Sequence, residues 1–175
     1  MRSRACASSA YSILSPMKSS SYRQRLLMLL NNIKSEHEES FQHTGIMDAS
    51  DPLNIQLMAV DLTLDSQVIR VTHTMDDQLS GTAFIECRLG RPRAADEPAV
   101  HRKLLSTNYA LASYRQAVFS IDPISHDVIY TLPYSLDNHE HDHFTHSISS
   151  TMALIPSWRA QLRLIQSPRE SFRMP

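Results

Sequence analysis

Glycine is nearly missing from this chain: three in 175 residues. Phosphate loops and dinucleotide turns need several, because only glycine lets the backbone approach a phosphate closely or turn left-handed without a steric penalty. Neither a P-loop nor a GxGxxG pattern is present. Cysteine is also scarce. Cys6 and Cys87 are far apart, one in a tail and one in a strand candidate, and their spacing gives no support to a disulfide. Both read as free thiols of a reducing compartment, with Cys87 a small hydrophobe. The longest apolar run, around Leu26–Leu30, falls far short of the roughly 18 residues of a membrane helix. No GxSxG frames a serine nucleophile, and Cys87 has no recognisable histidine partner.

The net charge of −1 hides an asymmetry. Residues 22–166 hold 12 lysines and arginines against 17 aspartates and glutamates, while both ends are basic. An acidic body excludes nucleic acid as its partner, since phosphate binding needs a basic face. The first 14 residues carry arginines and serines and no acid. They read as an organelle transit peptide or as the product of an upstream start codon, with Met17 the working initiator. In either reading residues 1–20 are a disordered extension. One α+β domain is expected over 21–166, with a disordered tail over 167–175.

Ser19, Ser20 and Ser21 offer caps for a first helix, whose apolar stripe is Tyr22, Leu26, Leu27, Leu29, Leu30 and Ile33. Met28 beside the leucines suits an adaptable binding face. Residues 40–54, with Gly45, Asp48, Asp51 and Pro52, read as a connector. Three strands follow, over Ile55–Leu64, Val68–Thr72 and Gly81–Arg88, as an antiparallel meander with Arg70 facing water.

The segment from His101 to Ile129 then changes period. Leu104, Leu105, Tyr109 and Leu111 keep helical spacing; Val118, Phe119 and Ile121 form a β-rich run that ends at Asp122-Pro123; Val128–Leu132 forms another, stopped by Pro133. From Ser135 or Asp137 to about Gln166, Phe144, Ile148, Met152, Ile155, Trp158 and Leu162 mark a last helix. Pro156 should kink or split it. The expected order is α-β-β-β-α-β-β-α, a twisted, mostly antiparallel sheet flanked by helices.

One cluster suggests chemistry. His139-Glu140-His141-Asp142-His143 satisfies HExxH, and His146 lies one turn further on. On a helix His139 and His143 would ligate zinc, with Glu140 as general base and His146 as a third ligand. Against this, the segment begins a helix and its middle positions are polar, which suits a wet first turn with acids near the helix N-terminus. No metal or other cofactor is therefore expected.

Leu104-Leu105 and Asn108, the FSIDP run at Phe119–Pro123, the strand Val128–Leu132, the turn Leu132–Asp137 and the WRAQL run at Trp158–Leu162 together carry a resemblance. In that order and spacing, across roughly residues 22–165, the chain resembles the class I type III secretion chaperones, the Tir-chaperone-like proteins. The start YRQRLLMLL at Tyr22 is similar to the general export-control chaperones of Hrp systems. The resemblance implies a cytoplasmic homodimer without enzymatic activity. Such a dimer keeps the N-terminal segments of effector proteins soluble and delivers them to the secretion ATPase, with no membrane insertion. It places Leu104, Leu105, Tyr109 and Val118 at the dimer interface. It places Leu27, Leu30, Phe119, Ile129 and Tyr130 against the effector. For each of these residues ordinary core packing is the competing role. A small zinc-dependent hydrolase built on the histidine cluster, or an adaptor domain, are the alternatives.

Overall fold

The computed structural model describes residues 15–36, 42–50, 56–64, 67–74, 81–112, 117–137 and 141–165. The elements run α1 (Ser15–Glu36), β1 (Gln42–Ser50), β2 (Gln56–Leu64), β3 (Gln67–Thr74), β4 (Thr82–Gly90), α2 (Glu97–Ala112), β5 (Val118–Ile121), β6 (Val128–Ser135) and α3 (His141–Leu162). The expected α+β order stands, with one strand added between the first helix and the three expected strands. All six strands join one antiparallel sheet in the order β1-β2-β3-β4-β6-β5.

The added strand is β1, in the segment read as a connector. Its pairing with β2 shifts between His43 and Ile46, so Thr44 and Gly45 face one residue of β2. That bulge interrupts the alternation a strand would show in sequence. Helix α1 also starts earlier than the serine caps suggest, because Pro16 sits in the first turn, where its fixed φ and missing N–H are tolerated.

Strand β6 runs through Pro133 instead of stopping there. The reason is positional. Phe119 of β5 turns its backbone away from β6, so alternation points the odd-numbered residues of β6 toward β5. Pairing with β5 ends at Thr131. The nitrogen of Pro133 therefore faces past the end of β5, and no ladder bond is lost. Helix α3 continues through Pro156 as one helix instead of splitting.

Helices α1 and α3 cover one face of the sheet. Leu26, Leu30 and Ile33 of α1 and Phe144 and Ile148 of α3 pack on Met58, Val60, Leu62, Val71 and Ile85. A second cluster, at the far end of the sheet, joins Val100 and Leu104 of α2 to Cys87, Phe119, Ile155 and Leu162. Phe119 meets Trp158 edge-on at 4.7 Å between ring centroids. Tyr22 Oη donates to Asp137 Oδ1 at 2.8 Å and ties α1 to the turn before α3.

Candidate functional site

Two neighbouring leucines on α2 part company. Leu104 turns inward with Val100 and is 4 % exposed, whereas Leu105 is 70 % exposed. Tyr109, one turn beyond Leu105, is 85 % exposed, and Val118 at the start of β5 is 51 % exposed. Large apolar side chains this open mark a contact surface more often than chance exposure when they gather on one edge of a fold.

Asn108 fixes this edge. Its Nδ2 donates to Phe119 O and its Oδ1 accepts from Phe119 N, each at 2.8 Å. The amide imitates a neighbouring strand and satisfies the outward backbone groups of Phe119 on β5, the edge strand. Asn108→Ala leaves both groups without that partner. It is expected to cost about 1–3 kcal/mol and to open β5 to strand pairing. A lower unfolding midpoint together with concentration-dependent aggregation in light scattering is the expected result.

The residues assigned to the effector by resemblance fall in different places. Leu30 and Phe119 are built into the two core clusters. Leu27 and Tyr130 are half-buried against those clusters, while Met28 is exposed on α1. Ile129 points to the opposite face of the sheet and lines a groove of about 470 Å³ there, with Leu57, Arg70, Phe84, Glu86 and Thr131. Asp122, Pro123 and Ile124 of the β5–β6 turn form one wall. Desolvation raises the Asp122 pKa, but amide bonds from Ile124 and Ser125, the Ser125 hydroxyl and the charge of Arg88 outweigh it and hold it below the usual carboxylate range.

Sequence reasoning missed this groove, and Arg70 shows why. Instead of facing water it is 4 % exposed, with Nε and Nη2 on the two oxygens of Asp61 at 2.7 and 3.0 Å. Asp61, Arg70 and Glu86 are cross-strand neighbours on β2, β3 and β4. The signal was an alternation of polar residues on three consecutive strands, too regular for a face that only meets solvent.

The histidine cluster does not assemble into a site within the described residues. His139 and Glu140 lie outside them. His143 and His146 are exposed on α3, with His143 beside the Tyr134 ring and His146 Nε2 3.2 Å from Ser150 Oγ. Among the described residues no three His, Cys, Asp or Glu side chains gather where they could hold a metal ion. Burial pushes the Cys87 thiol up to about 12, with the charge of Arg159 pulling weakly the other way. Thiolate is the reacting species, so Cys87 should resist iodoacetamide in the native protein and be alkylated fully in denaturant, as peptide mapping would show. No helix of the described residues is long and apolar enough to cross a membrane.

A family model, the Tir chaperone protein (CesT) family, matches residues 56–159, from β2 into the last turns of α3. The chain belongs to this family. The matched span covers more than half of the sequence and includes the exposed edge of α2 and β5, Asn108 and the groove. Its members are class I type III secretion chaperones. No curated protein matches the chain.

Proposed function

We propose that this protein is a cytoplasmic type III secretion chaperone that holds the N-terminal segments of effector proteins and passes them, export-ready, to the secretion ATPase. The family match carries the reading. The geometry fits it: large apolar side chains of α2 and β5 are exposed. Two copies pair through α2 and β5, with Leu105, Tyr109 and Val118 against their counterparts. Leu104 supports that helix from inside. The client segment lies in an extended state along the dimer. Half-buried Leu27 and Tyr130 and exposed Met28 take its side chains, and β1, the other edge strand, accepts its backbone. Holding of this kind needs neither ATP nor a covalent step at the chaperone.

Co-expression tests the reading. The N-terminal segments of effectors encoded beside this protein, insoluble alone, are expected to become soluble and to co-purify with the untagged chain. Effectors lacking those segments should not. Failure to bind any such segment would overturn the proposal.

A further inference from the structure

The exposed side of α2 does not end at Leu105. Glu97, His101, Leu105 and Tyr109 follow one another at steps of four along the helix. Four residues advance an α-helix by about 40° beyond a full turn, so they form one slowly turning row. His101 stands in that row between the buried Leu104 and the open Leu105. Its Nε2 lies 3.6 Å from Glu97 Oε1, with the two side chains 39 % and 42 % exposed. That nitrogen is itself shut off from solvent and makes no hydrogen bond. A proton held there has the Glu97 carboxylate as its partner. Glu97 lies in the first turn of α2, where a negative charge suits the helix dipole.

The other charges around this row are engaged elsewhere or stand apart from it. Facing α2, β5 is Val118–Ile121, which holds no titratable group, and Asp122 at its end is held by Arg88. From α3, Arg159 bonds Leu89 O and Gln67 Oε1. On α2 itself Lys103 Nζ donates to Gln161 O, and Arg102 is exposed, about 100° round the helix from His101.

We infer that pairing of two copies through α2 is proton-linked: His101 takes up a proton as the pair forms, and its imidazolium neutralises Glu97 at the rim of the contact. The inference rests on the pairing proposed above and adds a regulator to it. In the single chain water screens both groups, and such an exposed pair is worth little. A second copy seated on Leu105 and Tyr109 withdraws water from the neighbouring row. A carboxylate beside a neutral ring is then costly, whereas an imidazolium–carboxylate pair carries no net charge. Two-fold symmetry repeats the arrangement, so each pair of chains takes up as many as two protons. Histidine changes charge between about pH 5 and 8. Pairing is therefore strongest at the acid end of that window and weakens as pH rises through it.

Sedimentation equilibrium of the full chain tests this. The dissociation constant should rise at least about tenfold between about pH 6 and about pH 8. Glu97→Gln removes the charge that needs neutralising. It should pair as tightly at the higher pH as the native chain does at the lower, with the pH dependence gone. His101→Gln should pair weakly at both. A merely structural role would weaken both variants alike, and circular dichroism should show both folded as the native chain is. Equal dissociation constants at the two pH values, or a pH dependence that survives Glu97→Gln, would overturn the inference and leave the pairing standing. A chain that stays single at both pH values overturns the pairing and this inference together, and effector segments that still co-purify would then leave the chaperone reading in place.

Discussion

Leu105→Asp combined with Tyr109→Asp is expected to leave a folded single chain of 19.9 kDa, where the proposed pairing predicts a dimer for the native protein. Both side chains stand in solvent in the single chain, so the substitutions take nothing from its core. In a two-fold pair each is buried twice, once from each copy. Burying a leucine or tyrosine side chain is worth about 1.5–3 kcal/mol, and a buried unpaired carboxylate adds a further penalty. The total exceeds about 4 kcal/mol, a thousandfold or more in the dissociation constant. Circular dichroism and the low-concentration unfolding midpoint should match the native chain. Leu104→Asp is the contrasting variant: it puts a carboxylate among Val100, Phe119 and Ile155 and should unfold the protein outright. A double variant that still pairs would show that α2 faces something other than a second copy.

The second large effect is in the sheet. Asp61→Ala leaves the Arg70 guanidinium without its bidentate partner on a face where the two side chains are 6 % and 5 % exposed. Removing one partner of a buried pair costs about 3–5 kcal/mol, against a total stability of about 5–15 kcal/mol for a domain of ordinary size. The urea midpoint should fall by about a fifth or more with little change in slope. Replacing both residues together, Asp61→Leu with Arg70→Met, should recover most of that loss, because the penalty comes from the orphaned charge. If the single variant is as stable as the native chain, water reaches Arg70 and the pair is not the anchor of this face.

These two effects mark where sequence reasoning succeeded and where it stopped. Periodicity located all three helices and five of the strands, because each buries one face against the same core and its apolar residues recur accordingly. It failed at β1, where the bulge at Thr44-Gly45 breaks the alternation, and at Pro133, whose acceptability depends on where a different strand ends. The family resemblance, not periodicity, put Leu104 and Leu105 together at the interface. Neighbours on a helix point about 100° apart, so only the position of β5 decides which of them reaches solvent. Arg70 was placed in water because its partners, nine and sixteen residues away on β2 and β4, are found by register and not by local pattern. The exposed edge was thus half legible, and the groove not at all.

As proposed, two copies of this chain hold one unfolded client segment. The most direct measurement is the mass of the complex, by light scattering or native mass spectrometry, after co-expression with the N-terminal segment of an effector encoded beside it. Two copies of the chain per segment, with a continuous stretch of the segment protected from protease, is the predicted result. A single chain of 19.9 kDa carrying no segment would contradict it.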